Sequence, residues 1–150
     1  MGDRVIRGGK GLTIDTGIHV PLIGYWRGKT KTGLVTDTLV DSTDILPTIF
    51  DAIGAKLPVK VDGQSFLPQM LGQKGHPREW VYFWYNPLPG HGKEQYHKTI
   101  FALDHEYKLY SDGRLFHITA DPEEKSPLDK QRAPEAYRKL QAAIESMGGN

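Results

Sequence analysis

The chain has 150 residues, of which 19 are basic and 18 are acidic, so its formal net charge is +1. This balance excludes a general electrostatic field that would attract nucleic acid or a membrane surface. With 17 glycines and 10 prolines the composition predicts a globular, turn-rich protein. Cysteine is absent, which excludes a disulfide framework, a thiolate metal site and a cysteine nucleophile within these residues.

The first motif is a glycine-rich loop that carries one lysine, Gly8-Gly9-Lys10-Gly11. Glycines let the backbone take positive φ angles and approach a ligand closely, and lysine supplies a compact charge. The spacing differs from the phosphate-cradling pattern G-x-x-x-x-G-K-[ST], so a nucleotide site is disfavoured. On composition alone, a solvated loop is favoured over an anion site, and both interpretations stay open at this point.

Two elements are predicted after the loop. The apolar run Val20–Trp26, entered through Pro21, predicts a short buried strand. A helix is predicted to follow Asp44 as its N-cap, with Pro47 at its third position and Gly54 at its end. The spacing of its apolar residues predicts that this helix packs firmly against a sheet. These apolar residues are Ile45, Leu46, Ile49, Phe50 and Ile53.

The second half of the chain predicts a small sheet. Residues 56–77, rich in Pro, Gly and Gln, predict a crossover, and four aromatic and β-branched segments then predict antiparallel strands. These segments are Trp80–Tyr85, His97–Leu103, Tyr107–Tyr110 and Leu115–Ile118. The pair Asp112-Gly113 predicts a type I′ hairpin turn, and helical spacing over 134–147 predicts a helix lying across the sheet. The predicted fold class is therefore α/β followed by α+β.

Five segments in a fixed order carry a resemblance to a known family. They are residues 8–11, 15–26, 37–48, 62–72 and 107–124, which contain Gly-Lys-Gly, Ser-Thr-Asp-Ile-Leu-Pro-Thr and Asp-Pro-x-Glu. Together they resemble the C-terminal part of a type I sulfatase, the arylsulfatase family of the alkaline phosphatase superfamily. The resemblance implies that residues 1–58 form the end of an alkaline-phosphatase-like α/β domain. Residues 59–79 would then be the crossover, and residues 80–150 an antiparallel-sheet subdomain with a terminal helix.

The resemblance also implies an activity, the hydrolysis of sulfate esters, in which Lys10 contacts the sulfate group. Family members use a formylglycine nucleophile made from a C/S-x-P-x-R motif and a calcium ion held by Asp-Asp and Asp-Asn pairs, and this sequence contains none of the three. We therefore expect a C-terminal fragment that has no cofactor or metal site of its own, needs the N-terminal sulfatase portion, and is catalytically incompetent alone. No signal peptide is recognisable, although family members are often exported.

A second group of candidate residues lies near the loop 86–98, which is long for a hairpin connection. The resemblance implies that C-terminal loops border the substrate pocket, so Tyr85, His91, Lys93 and His97 are candidates for contact with the sugar or aryl part of a substrate. An ordinary surface loop is the competing interpretation. The six histidines show neither His-x-His nor i, i+4 spacing, which disfavours a zinc site.

Two alternative functions stay open. One is a phosphonate monoester or phosphodiester hydrolase of the same superfamily, and the other is a non-catalytic binding module. As partners we expect a sulfate ester in the complete enzyme, and self-association through an exposed strand edge near Val20–Trp26. Nucleic acid and membranes are not expected as partners.

Overall fold

The computed structural model describes residues 8–88, 90–94 and 96–148. In chain order the helices are α1 (Asp15–Ile18), α2 (Ile45–Ala52), α3 (Leu67–Met70) and α4 (Pro134–Ser146), and the strands are β1 (Val81–Tyr85), β2 (Thr99–Leu103), β3 (Tyr107–Tyr110) and β4 (Leu115–His117). Within these described ranges, no helix has the length and apolar character needed to cross a membrane.

The chain forms two compact units. The first contains the N-terminal residues up to Pro21 together with the chain from Tyr82 onward, and the second is Leu22–Val81. The division into residues 1–58, 59–79 and 80–150 stays a prediction.

The first unit contains a four-stranded sheet in the order β1-β2-β3-β4. Strands β2 and β3 are antiparallel, with Ala102 opposite Leu109, and β3 and β4 are antiparallel, with Lys108 opposite Phe116. Each strand lies beside its neighbour in sequence; short turns connect β2 to β3 and β3 to β4, whereas residues 86–98 connect β1 to β2. The predicted antiparallel sheet is confirmed.

Helix α4 covers β2 and β3, as predicted. Proline at its first position has no N–H to leave unpaired, so Pro134 starts the helix at no hydrogen-bonding cost. Its apolar stripe is buried through Leu140, Ala143 and Ile144. Burial of a large aliphatic side chain contributes about 1.5–3 kcal/mol, so this face holds the helix on the sheet.

The turn between β3 and β4 differs from the type I′ prediction. Among its residues only Gly113 takes a positive φ, 92°, whereas type I′ requires positive φ at both central positions. The Gly113 N–H donates to the Tyr110 carbonyl at 2.9 Å, and Tyr110 N–H donates to Arg114. The loop therefore has three residues, with the glycine at its left-handed position.

In the second unit, α2 begins and ends close to the predicted residues. Pro47 is its third residue, and Gly54 follows the C-cap with a φ of 68°. The predicted packing of its apolar stripe against a sheet is wrong for this structure. Ile45, Leu46, Ile49 and Ile53 are between 46% and 69% exposed, because α2 packs against α3 and the 3₁₀ turn Ser42–Asp44 through its other side.

The buried carboxylate of Asp44 connects three parts of the second unit through hydrogen bonds. Asp44 is at the N-cap position of α2, but its side chain makes no cap hydrogen bond there, which corrects the prediction. The carboxylate instead accepts from the backbone N–H groups of Asp41 at 2.9 Å and Gln64 at 2.7 Å, and from the guanidinium of Arg78. It closes a capping box with Asp41, whose side chain accepts from Thr43.

The predicted strand over Val20–Trp26 is wrong. The segment has no strand pairing, and Val20 and Ile23 are 74% and 90% exposed. An apolar run forms a strand only where a neighbouring backbone supplies hydrogen bonds. None of the described strands pairs with the segment Val20–Trp26.

Candidate functional site

Lys10 lies on a tight turn of the glycine-rich loop. The N–H of Leu12 donates to the carbonyl of Gly9 at 2.7 Å, which closes the turn around Lys10 and Gly11. Gly11 has a φ of 88°, a conformation that side chains with a Cβ disfavour. The side chain of Lys10 is exposed. A solvent-accessible ammonium is therefore presented from a closed backbone turn.

The glycines of this loop are required by close backbone approach. A Cβ on Gly9 would lie 2.3 Å from the Thr16 hydroxyl and 2.8 Å from the backbone nitrogen of Gly17. A Cβ on Gly17 would lie 2.1 Å from the Leu12 carbonyl oxygen and 2.5 Å from that of Gly9. The loop is thus folded onto α1 so closely that side chains at Gly9 and Gly17 are excluded.

Two tyrosines contact the lysine loop, one at the end of β1 and the other on the connection that follows β1. The hydroxyl of Tyr85, at the end of β1, donates to the Gly11 carbonyl at 2.8 Å. The ring of Tyr96 packs on Gly11, where a Cβ would lie 3.0 Å from its nearest atoms. The structure therefore places Tyr85 beside the lysine loop, and its contact with substrate stays a prediction. Tyr96 was missed from the sequence because nothing in its neighbourhood signals a contact with Gly11.

The other candidate residues lie on the connection between β1 and β2. His91, Lys93 and His97 are all exposed. The N–H of Tyr96 donates to the Lys93 carbonyl at 3.0 Å, so the turn that carries Lys93 is joined to the tyrosine that packs on Gly11. This connection thus adjoins the lysine loop. Substrate contact by the three basic residues stays a prediction.

A buried ion pair lies beneath the same loop. The ammonium of Lys108, on β3, donates to Oε1 of Glu124 at 2.7 Å and to the backbone carbonyl of Thr13. The hydroxyl of Tyr110 donates to the second oxygen of Glu124, and the Thr13 hydroxyl donates to Tyr110 at 3.0 Å. Thr13 follows Lys10 by three residues. The network therefore connects the lysine loop to the interior of the sheet.

The surroundings of this network change the acidity of its members. Burial lowers the pKa of Lys108 to about 8, although the hydrogen bond and charge of Glu124 oppose this effect. Burial and the carboxylate of Glu124 raise the pKa of Tyr110. The ammonium also lies 4.0 Å from the centroid of Phe101 and 4.6 Å from that of Tyr110. At neutral pH, Lys108 is therefore a cation and Tyr110 a protonated phenol.

Glu124 adopts a strained backbone conformation. Its φ of 53° is the positive value of the left-handed region, which non-glycine residues rarely occupy and which costs about 1–3 kcal/mol. Its N–H donates to the Asp121 carbonyl at 3.0 Å in the turn that follows β4. This turn directs the carboxylate toward Lys108 and Tyr110.

The described residues do not form a metal site. Across residues 8–88, 90–94 and 96–148, no group of three or more His, Cys, Asp or Glu side chains converges to hold an ion. Calcium requires six to eight oxygen ligands, so the donor set found here does not fit that ion. Through its exposed ammonium, Lys10 can contact an anion.

Known sulfatases are similar to this chain in sequence. Residues 9–148 match a family model described as N-sulphoglucosamine sulphohydrolase, C-terminal. Arylsulfatase A of Bos taurus is 37% identical over 123 residues, covering 79% of this chain and 23% of the relative. Steryl-sulfatase of Rattus norvegicus is 26% identical, covering 95% of this chain and 30% of the relative. The chain thus spans less than a third of the length of these two sulfatases.

Two solved structures share the fold. One, a complex with its substrate D-glucosamine-2-N,6-O-disulfate, superposes with a TM-score of 0.55 at 20% identity, over 69% of this chain and 23% of the other. The phosphonate monoester hydrolase of Silicibacter pomeroyi superposes with a TM-score of 0.51 at 22% identity, over 79% of this chain and 26% of the other. Given the match of residues 9–148, the chain belongs to the sulfatases and represents their C-terminal region.

Proposed function

We propose that the protein containing this chain hydrolyses sulfate esters and that Lys10 contacts the sulfate group. The observation that carries this proposal is the exposed ammonium of Lys10 on a turn whose backbone is fixed at Gly9, Gly11 and Gly17. Transfer of a sulfuryl group leaves negative charge on its peripheral oxygens, and a fixed cation stabilises that charge. Lysine suits this contact because its ammonium is a compact point charge with three donors.

The remaining catalytic groups are proposed to come from outside this chain. A formylglycine would supply the nucleophile and calcium would supply charge stabilisation in the complete enzyme. The chain itself contributes the sulfate contact and the scaffold that holds it. We therefore expect the isolated 150 residues to show no turnover.

The partner of the second unit is proposed to be the N-terminal portion of the same enzyme. The stripe of Ile45, Leu46, Ile49 and Ile53 is exposed on α2, which is the arrangement of a surface that another part of a protein covers. The two sulfatases compared above are more than three times as long as the matched region, which leaves ample chain to cover this stripe.

The substrate is proposed to extend from Lys10 toward the connection between β1 and β2. Tyr85 and the exposed His91, Lys93 and His97 would contact the sugar or aryl part of the ester. In support of this placement, Tyr85 donates to Gly11 and Tyr96 packs on the same glycine.

The second candidate function is hydrolysis of phosphonate monoesters. A hydrolase of that class shares the fold, but the relatives recognised by sequence are sulfatases, which favours the sulfate ester. A single assay separates the two, because the same complete enzyme can be given an aryl sulfate and a phenyl phosphonate monoester. A non-catalytic binding module would act on neither.

Substitution of Lys10 tests the proposal in the complete enzyme. Lys10→Ala is expected to lower kcat/KM for an aryl sulfate by about 100-fold, the usual cost of losing one charge-stabilising donor. Lys60→Ala, which removes another exposed lysine, is the matched control and is expected to change the rate less than twofold. Equal activity of the Lys10→Ala variant and the parent would refute the role of Lys10.

A further inference from the structure

We propose that Lys108 and Glu124 are positioning residues for Lys10, a buried ion pair that holds the lysine loop in its working conformation. This inference rests on the proposed function, because it assigns what keeps the sulfate-contacting lysine in place. Neither residue reaches the surface loop with a free functional group of its own, since Lys108 is 0% exposed and its ammonium is engaged by Glu124 and Thr13. Both act through the backbone of Thr13.

The loop is held at two points close to Lys10. The Gly11 carbonyl accepts from Tyr85 on β1 at 2.8 Å, and the Thr13 carbonyl accepts from Lys108 on β3. Lys10 immediately precedes the first point. Because two different strands hold the loop within three residues, a movement of either contact displaces the backbone that carries the ammonium.

Apolar packing contributes little to the order of this loop. Gly8 and Lys10 are exposed, and Leu12 remains 44% exposed. Segments with little buried apolar surface open locally at low free-energy cost unless hydrogen bonds hold them. The contacts of Thr13 with Lys108 and Tyr110, together with that of Gly11 with Tyr85, therefore link this part of the chain to the sheet.

Stability alone does not explain an ion pair in the core, because burying its two charges costs free energy. Removing two charges from water costs several kcal/mol per ion, and well-packed apolar replacements are often equally or more stable. The positive φ of Glu124 adds a further cost. An apolar side chain at position 108, however, could not donate to the Thr13 carbonyl. The ion pair thus provides a directed contact with the loop that hydrophobic packing cannot provide.

A small movement of the loop lowers the catalytic rate strongly, even when the movement itself costs little free energy. Misplacement of a contacting group by about 1 Å can lower a rate by about 100-fold. The expected signature of a positioning pair is therefore a loss of kcat/KM that depends on the presence of Lys10. A pair that only stabilises the fold would act equally whether or not Lys10 is there.

Hydrogen exchange of the 150-residue chain tests whether the ion pair holds the loop in place. The double variant Lys108→Met/Glu124→Gln removes both charges, so that neither is left unpaired. We expect amides of residues 9–17 to exchange at least 10-fold faster, while those of β2 and β3 keep their protection. Lys60→Met, which removes an exposed lysine of the second unit, should leave both regions unchanged. Unchanged exchange in 9–17 would overturn the inference.

A milder variant covers the case in which the double variant does not fold, which loss of protection in β2 and β3 would reveal. Tyr110→Phe keeps the ring in the core and removes only the hydroxyl that meets Thr13 and Glu124. Faster exchange confined to residues 9–17 supports the inference. Exchange that is unchanged, or faster everywhere to the same extent, contradicts it.

A double-mutant cycle in the complete enzyme tests whether the ion pair positions Lys10 for catalysis. Lys108→Met/Glu124→Gln is expected to lower kcat/KM for an aryl sulfate by about 10-fold in the parent, and to have no further effect when Lys10 is already alanine. Additive losses would overturn the positioning role. If Lys10→Ala alone has no effect, the proposed function fails, while the exchange experiment still decides whether the pair holds the loop.

Discussion

The ammonium of Lys108 lies 2.7 Å from Oε1 of Glu124, inside a sheet where the lysine side chain has no solvent exposure. The same ammonium donates to the backbone carbonyl of Thr13, three residues after Lys10. This pair joins the two ends of the segment 107–124, the Tyr-Lys-Leu strand and the Asp-Pro-x-Glu turn, to the glycine–lysine loop. The loop and this segment therefore form one hydrogen-bonded structure.

The pKa of Lys108 predicts a pH dependence of stability. Burial lowers this pKa from 10.5 to about 8, so the unfolded chain binds more protons than the folded chain between those values. The contribution of Lys108 to the free energy of unfolding therefore rises as the pH increases through this window, and the cost of its burial is fully present below pH 8. The charged groups that face Lys108 are Glu124, Arg114 and Asp15, and Tyr110 stays protonated because its pKa is raised.

Urea unfolding of the parent and of Lys108→Met/Glu124→Gln at several pH values measures this contribution. The parent should gain stability relative to the variant between pH 8 and pH 10. Parallel curves for the two proteins would show that Lys108 titrates outside this window.

Loss of Arg78 should destabilise the second unit strongly. Asp44 is buried and accepts two hydrogen bonds from Arg78, so Arg78→Met leaves a buried carboxylate without its cation. The expected loss is about 3 kcal/mol. In the matched variant Arg114→Met the lost partner, Asp112, is exposed, and the expected loss is below about 1 kcal/mol. Chemical unfolding measures both losses, followed by signals from residues 22–81 for Arg78→Met and from residues 96–148 for Arg114→Met, and equal losses would contradict the role assigned to Asp44.

The basic residues between β1 and β2 should affect substrate binding more than chemistry. In the complete enzyme, His91→Ala and His97→Ala are expected to raise KM for a sulfated sugar several-fold with little change in kcat, which is the signature of lost uniform binding. A small aryl sulfate, which lacks the sugar, should show little change. Lys125→Ala, an exposed lysine after β4, serves as the control. Unchanged KM values for both substrates would assign His91 and His97 to an ordinary surface loop.

The exposed stripe on α2 should make the isolated chain self-associate. Contiguous exposed apolar side chains favour association, and Ile49 and Ile53 are 53% and 69% exposed. Ile49→Lys/Ile53→Lys is expected to shift the chain toward the monomer in light scattering, without loss of helix by circular dichroism. Val35→Lys, at an exposed apolar residue outside α2, is the control. An unchanged molar mass in the α2 variant would place the association surface elsewhere.

Local sequence patterns correctly predicted the helices and strands that depend on interactions within a few residues. The four strands, α2 with Pro47 at its third position, and α4 lie close to their predicted bounds, because alternation, helical spacing and proline position act within a few residues. The motif order likewise indicated the sulfatase family and singled out Lys10. The strand at Val20–Trp26 and the packing of α2 were predicted wrongly, because an apolar run shows that a surface needs covering without showing what covers it.

Only the tertiary structure brought together the residues that hold Lys10. Nothing in the sequence links Gly11 to Tyr85 and Tyr96, or Thr13 to Lys108, since these contacts join residues more than 70 positions apart. Their energetics depend on burial, which makes the Lys108 ammonium both costly and directional. The sequence by itself thus determined that a lysine is presented by a glycine loop, and the folded sheet decided what keeps that lysine in place.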